Sequence, residues 1–467
     1  MDVIRDQAII EGYLSDASNT RGHAEALVRP RSAAEVSEVL SRCQASGTPV
    51  TVTAQRTSTT GAPVPSGGWL LSTERLDTIY GLDEVGAGVM LGAYQSHVAA
   101  QGHLFPPDPT SRHECTVGAA IACNASGARS FRYGPTRPWI TAVEVVLPDG
   151  RILPRVTRQT PIPSDWPDIG WQEPAVKTAA GYFPADNLLD LMIGQEGTLG
   201  VITRAWTRLL PQPAGVLSLI AFFRGLEPCL AFVESARAGA ARHGTAAAPG
   251  ALAPRAIEFF DRHSLALVRS RVPDIPDDAE CALFIEIEHG GEPPLEAWWD
   301  ALMDAGASED VIVAEDDQGR ARLHAVRHAI PAGVNERVVA NGMPKVGTDF
   351  SVPDSALREM MARYAAVEMP HILFGHIGDN HLHLNLLPRS AGELAEARQM
   401  YKALARAAVA LGGTVSAEHG IGKIKRGLLA EMIGPAQLAR FRALKARLDP
   451  AWILGRGTLF AASEETT

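Results

Sequence analysis

The sequence predicts an α+β fold in several lobes, on three observations. The chain has 467 residues, beyond the roughly 250–300 at which one hydrophobic core stops growing. Residues 30–210 alternate short β-rich runs with helical stretches until Pro211-Gln212-Pro213 interrupts the pattern. Beyond it, strand-like runs at 217–222, 256–260 and 282–288 alternate with helical stretches near 229–241 and 294–303. That order suits an antiparallel sheet with helices packed on one face. The expected division is therefore 1–210, 211–405 and a helical segment, 406–467.

The elements follow from local patterns. Residues 33–45 carry apolar side chains at helical spacing, and Ser32 before them is an N-cap residue. Residues 50–53 and 69–72 read as buried strands around a loop rich in Gly, Pro, Ser and Thr. Residues 142–147 form a strand that enters the turn Pro148-Asp149-Gly150-Arg151. The Gly/Ala/Pro-rich stretch 239–254 reads as a surface loop.

Composition removes several function classes. With 46% hydrophobic and 21% charged residues, this is ordinary globular material. The net charge of −10 offers no basic stripe for a phosphate backbone, so no nucleic-acid partner is expected. Met1-Asp2-Val3-Ile4-Arg5-Asp6 places acids where a secretory signal carries bases, and no apolar run approaches the roughly 18 residues of a membrane span. Cys43, Cys115, Cys123, Cys229 and Cys281 are widely spaced and lack a C-x-x-C, against a disulfide framework or a four-cysteine cluster. A reducing cytoplasm is the expected location, with peripheral attachment to the inner face of a membrane compatible with it.

Three segments of small residues lie between apolar strands. The first is Thr53-Ala54-Gln55-Arg56-Thr57-Ser58-Thr59-Thr60-Gly61-Ala62. The second runs from Pro106-Pro107-Asp108-Pro109-Thr110-Ser111 through Cys115-Thr116-Val117-Gly118-Ala119-Ala120 to Asn124-Ala125-Ser126-Gly127-Ala128. The third is Gly194-Gln195-Glu196-Gly197-Thr198-Leu199-Gly200-Val201-Ile202-Thr203. Small side chains let backbone N–H groups close on an anion, although any one such loop reads equally as a turn. No G-x-G-x-x-G follows a strand, and Gly420-Ile421-Gly422-Lys423 lacks the upstream glycine and the following Ser/Thr of a phosphate loop.

Histidines cluster in Gly375-His376-Ile377-Gly378-Asp379-Asn380-His381-Leu382-His383-Leu384-Asn385. Alternation puts His381, His383 and Asn385 on one strand face, and a turn at Gly378-Asp379 brings His376 toward them. Further on, Ser416-Ala417-Glu418-His419-Gly420-Ile421-Gly422 offers a carboxylate and an imidazole between glycines. Imidazole and carboxylate together suit Zn²⁺ first, with Mn²⁺ or Fe²⁺ as alternatives. Hydrogen-bonded structural histidines fit the spacing equally well.

The three loops, in this order, resemble the flavin domain of the vanillyl-alcohol oxidase superfamily, which has a two-part (PCMH-type) FAD-binding domain and a cap. The C-terminal motifs are similar to the D-lactate, glycolate and D-2-hydroxyglutarate dehydrogenase branch. Gly375–Asn385 matches the branch pattern except that Asn380-His381 replaces Gly-Asn, and Ser416–Gly422 matches throughout. The resemblance implies that residues 1–210 bind FAD non-covalently, 211–405 form the substrate cap, and 406–467 pack back on the FAD domain. FAD contacts would come from Arg56, Thr57, Ser58, Thr60, Gly61 and Ala62. The second pass would supply Pro107, Asp108, Thr110, Ser111, Val117, Gly118, Ala120, Asn124, Ser126 and Gly127. Glu196, Gly197, Gly200, Val201 and Ile202 would complete the set.

The same resemblance makes His376, His383 and Glu418 metal ligands, His419 the base and Asn385 a substrate contact. His381 has no counterpart and is taken as a neighbour of that set. Arg327 matches the carboxylate-binding arginine, whose planar fork suits bidentate binding. Pro331, four residues on, replaces the hydroxyl of dicarboxylate-binding relatives, and Lys345 stands two positions before a substrate lysine of some relatives. These roles predict an FAD-dependent dehydrogenase that turns a D-2-hydroxy acid into its 2-oxo acid. His419 would take the hydroxyl proton, and hydride would pass to flavin N5. Electrons would leave to a quinone, a cytochrome or an electron-transfer flavoprotein, and the enzyme is compatible with a homodimer.

Two other classes share the resemblance: an alkyl-dihydroxyacetone-phosphate synthase-like flavin transferase, and a non-catalytic subunit of a larger oxidase. The transferase carries successive histidines where this chain has Glu418-His419, and the carboxylate favours a metal site. The first loop contains no histidine to link a flavin covalently. Mild denaturation should therefore release the FAD into the filtrate, whereas flavin that stays with denatured chain would contradict this.

Overall fold

The computed structural model describes residues 2–242, 247–248, 251–272 and 274–461, and three large sheets organise them. The first runs Val3–Ile4, Ala26–Val28, Trp69–Ser72, Val50–Thr53, with its last three strands parallel. Helix Ala33–Ser46 starts where expected: Ser32 accepts the N–H of Glu35, and Gly47 ends it in the left-handed conformation. Its Val36, Val39, Leu40 and Cys43 pack on Ala26, Val28, Val50 and Leu71 of that sheet.

The second sheet is antiparallel, in the order Glu84–Gly86, Val201–Thr207, Ile140–Val146, Ile152–Thr157. Together these two sheets carry the three small-residue loops. Past the proline pair begins an eight-stranded antiparallel sheet whose central strands are Gly215–Phe223, Cys281–His289, Pro254–Asp261, His371–His376 and His381–Leu386.

The antiparallel sheet is as expected, but its helices cover both faces rather than one. Leu217, Leu219, Ala221 and Phe223 point to the side of helices Leu226–Arg237 and Leu295–Asp304. Ile220 and Phe222 point to Arg262–Val268 and Asp317–Asn341. Both faces of these strands are apolar, so both need cover; a one-sided sheet would have shown polar residues at alternate positions. Part of the expected loop at 239–254 (243–246 and 249–250) lies outside the described residues. Helix Ala391–Ala410 runs across the division expected at 405.

Buried ion pairs join the loops to this sheet. Arg129 Nε lies 3.1 Å from Glu286 and 3.3 Å from Asp108, and Arg255 also holds Glu286, at 2.9 Å. All five cysteines are free thiols. Among the described residues, no helix is long and apolar enough to cross a membrane.

The C-terminal segment returns to the first sheet, where Ile453 and Leu454 join its core and Val50 N–H donates to Ile453. Lys445 Nζ, fully buried, reaches Asp449 at 2.5 Å, Thr198 O at 2.6 Å and Leu454 O at 2.9 Å. Asp449 in turn accepts the N–H groups of Ile453 and Leu454. Asp449→Ala should cost about 3–5 kcal/mol in urea unfolding, because it strands a buried ammonium. The pair Lys445→Met with Asp449→Leu should recover most of that loss. A single-variant cost below about 1 kcal/mol would show that the pair does not anchor the segment.

Candidate functional site

A cavity of about 1280 Å³ lies where the three loops meet the eight-stranded sheet. The first loop lines it with Arg56, Thr57, Ser58 and Ala62, the second with Thr110, Ser111, Gly118, Ala120 and Ser126. Glu196, Gly197, Gly200, Val201 and Ile202 add the third wall. At the other end stand Arg327, Lys345, His376, His383, Asn385, Glu418 and His419. The loops and the histidine cluster thus share one space.

Seven of the residues expected to touch the flavin do not line this cavity, and most have work elsewhere. Thr60 accepts the N–H of Lys423, and Gly61 donates to Asp16. Pro107 O accepts from Gln95, while Asp108 pairs with Arg112 and Arg129. Val117 is core; Asn124 accepts the Arg137 N–H, and Gly127 O accepts from Ser130. They shape the loops from behind. Sequence order shows that a loop is small and polar, but not which side of it meets the cavity.

The first loop fits an anionic cofactor. Among the described residues, the backbone N–H groups of 55–59 have no protein acceptor, and such a run forms a concave anion site. In the third loop the left-handed Glu196 (φ 53°) accepts the N–H groups of Ile421 and Gly422, each at 2.8 Å. Gly422 has to be glycine: a Cβ there would lie 2.2 Å from Thr60 O.

The histidines come from a hairpin, His371–His376 paired with His381–Leu386. Its turn ends on Asn380 in the left-handed conformation, held by Arg237 and by Asp354 Oδ1 at 2.7 Å. His376 Nε2 is 3.3 Å from Glu418 Oε1, and His383, His381 and Glu418 present donor atoms within 4.8 Å of one another and of His376. Imidazole nitrogens grouped with a carboxylate are a donor set for a divalent cation. His383 Nδ1 is 3.2 Å from Thr348 O, and the His383 ring stacks on that of His419 with centroids 5.5 Å apart.

Burial works against charge on His376, yet Glu258 and Glu418 beside it outweigh burial and raise its pKa to about 9. Glu258 is buried as well, but Arg327 and His376 pull it down to about 2. His419 is lowered, chiefly by burial, so it rests neutral and able to take a proton. Arg327 Nε donates to Glu258 Oε2 at 2.8 Å, which aims the guanidinium into the cavity. Lys345 Nζ donates to Asn385 Oδ1 at 2.8 Å, tying those two together.

Several members of the site were not read from the sequence. Asp349 takes the N–H groups of Glu418 and His419, Ser416 Oγ and Lys425 Nζ, and lies 3.4 Å from His419 Nδ1. Lys177 Nζ donates to Glu418. Glu258 did leave a signal, a lone carboxylate in the apolar run Ala256-Ile257-Glu258-Phe259-Phe260. Asp349 and Lys177 left none, because their partners are distant in the chain.

Comparison with known proteins gives the family and the fold. Residues 24–154 match the FAD binding domain family, and residues 229–459 match the C-terminal domain of FAD linked oxidases. A D-lactate dehydrogenase of Anaerostipes hadrus is 31% identical over 98% of this chain and 94% of its own length. A D-2-hydroxyglutarate dehydrogenase of Xanthomonas citri pv. viticola is 30% identical over 95% of this chain and 90% of its own. The fold is shared with an alkyldihydroxyacetonephosphate synthase structure at TM-score 0.68 and 15% identity, over 97% of this chain and 82% of that one.

Glu196 makes the cavity wall sensitive to pH. Burial lifts its pKa from 4.5 to about 7, although the Ile421 and Gly422 N–H groups pull the other way. Between those values the folded chain keeps a proton that the unfolded chain has lost. This contribution is therefore whole below pH 4.5 and is lost as pH rises toward 7. Unfolding of Glu196→Gln at pH 5 and pH 8 should show the variant gaining about 2–3 kcal/mol on wild type across that interval. A constant gap would mean that Glu196 does not titrate there.

Proposed function

The chain belongs to the FAD-linked oxidase family, among the D-lactate, glycolate and D-2-hydroxyglutarate dehydrogenases, and from that premise we propose that it oxidises a D-2-hydroxy acid to the 2-oxo acid. One observation carries this reading: His376, His383, Glu418, His419 and Arg327 converge on the cavity that the three small-residue loops also line. Bound FAD would supply the two-electron acceptor for the substrate's α-hydrogen. A divalent cation on His376, His383 and Glu418 would supply a Lewis acid that acidifies the α-hydroxyl.

The chain's own residues do the rest. Arg327, steadied by Glu258, offers its remaining guanidinium N–H groups to the substrate carboxylate. The neutral His419, with Asp349 behind its Nδ1, receives the hydroxyl proton at Nε2. Asn385 and Lys345, already paired, face a substrate oxygen. Pro331 lines the cavity near Arg327 and has no hydrogen bond to give a second carboxylate, which favours a monocarboxylic acid. In this reading residues 1–210 hold the flavin, 211–405 the substrate, and 406–467 close against the flavin part. Turnover needs an external electron acceptor such as a quinone, a cytochrome or an electron-transfer flavoprotein.

Anaerobic mixing of the flavin-loaded chain with a panel of D-2-hydroxy acids should bleach the flavin with at least one of them. His419→Ala should slow that bleaching by roughly 10²–10⁴-fold while FAD and metal stay bound. Near wild-type bleaching in the variant would remove His419 as the base. Silence with every acid would favour a transferase or a non-catalytic subunit instead.

A further inference from the structure

His381 stands where the branch pattern has asparagine, and the structure buries it completely against the candidate cation site. We propose that His381 is a fourth protein ligand, so that the site is a three-histidine, one-carboxylate set of His376, His381, His383 and Glu418. The inference rests on the metal reading given above.

The orientation of the rings carries the argument. Each histidine has one nitrogen close to an acceptor oxygen, in hydrogen-bond alignment for His376 and His383. His376 Nδ1 is 2.5 Å from Glu258 Oε1, His383 Nδ1 is 3.2 Å from Thr348 O, and His381 Nε2 is 2.8 Å from Asp349 Oδ1. A carboxylate or carbonyl behind the ring is the usual support of a metal-bound imidazole, since it fixes which nitrogen keeps the proton. The opposite nitrogens are then the ones free to bind a cation. His376 Nε2 and His381 Nδ1 lie 3.3 and 3.8 Å from the same oxygen, Glu418 Oε1.

Spacing agrees. The four donors lie within 4.8 Å of one another, and ligands about 2.0–2.2 Å from one ion stand about 3.3–3.6 Å apart in a tetrahedron. Both His381 nitrogens are shielded from water and neither makes a well-aligned hydrogen bond, Nε2 lying close to Asp349 but out of line; a bond from Nδ1 to a cation would relieve that costly state. The rival grouping of Asp349, His383 and His419 is weaker. Both Asp349 oxygens already accept, from Ser416, Lys425 and two backbone N–H groups, whereas Lys177 and Ser126 donate to Glu418 at Oε1 alone.

With four protein ligands, a substrate oxygen would be a fifth donor to a bound ion. The fourth ligand also holds the cation more tightly between turnovers.

The test uses the flavin-loaded full chain, stripped with a chelator and reloaded with Zn²⁺ or Co²⁺ alone. X-ray absorption should fit three imidazoles in wild type and two in His381→Asn, which restores the residue of the branch pattern. Chelator competition should show His381→Asn binding metal roughly tenfold or more weakly while retaining its FAD. Two imidazoles in wild type, or equal affinity in the variant, would overturn the fourth ligand and leave the three-ligand site standing. No metal uptake by wild type would overturn both readings. The wild-type imidazole count decides the question even if the variant folds poorly.

Discussion

Asp349 is 1% exposed, and its carboxylate is the point from which the site is built. A charge so far from water has to be surrounded by donors, and here one loop supplies them. Backbone N–H groups of Glu418 and His419, Ser416 Oγ and Lys425 Nζ all donate to it. The 416–425 loop therefore cannot shift without leaving a buried carboxylate unpaired. Through that constraint the carboxylate of Glu418 and the imidazole of His419 are fixed relative to the histidine hairpin, which pairs with the strand Phe350–Ser351 beside Asp349.

The same rule is applied again on the far side of the cluster. Glu258 projects from the otherwise apolar run 256–260 and is matched by Arg327 from a helix and His376 from the hairpin. Glu286, one strand away, is matched by Arg255 and by Arg129 just past the second small-residue loop. Buried pairs of this kind add little net stability compared with apolar packing, but each is costly to break. They hold the eight-stranded sheet in register with the loops, and they keep the arginine and the histidines aimed at one cavity.

Much of the fold was legible because it rests on short-range rules. Ser32, the period of 33–45, and the alternating or continuous apolar strands are set by neighbours in sequence. The one misreading of the sheet, helices on one face, came from strands apolar on both sides. A short apolar run does not say how many layers cover it. The motifs at 375–385 and 416–422 were legible for a different reason: their residue types match a known branch, and the hairpin geometry of alternating histidines follows from strand periodicity.

The sequence by itself determined which chemistry-bearing residues exist, the hairpin that presents three histidines, and the small-residue loops. Only the tertiary structure decided which loop residues face the cavity and which, such as Asp108 and Asn124, brace it from behind. It alone brought Lys177 to Glu418, Glu258 to Arg327 and Asp349 to His419. These partners are tens to hundreds of residues apart, and the pairing of a buried charge is settled by what packs around it, which no local pattern records. His381 lies on the same boundary. Strand alternation gave its face, while the carboxylate behind its ring and the seal against water came from packing.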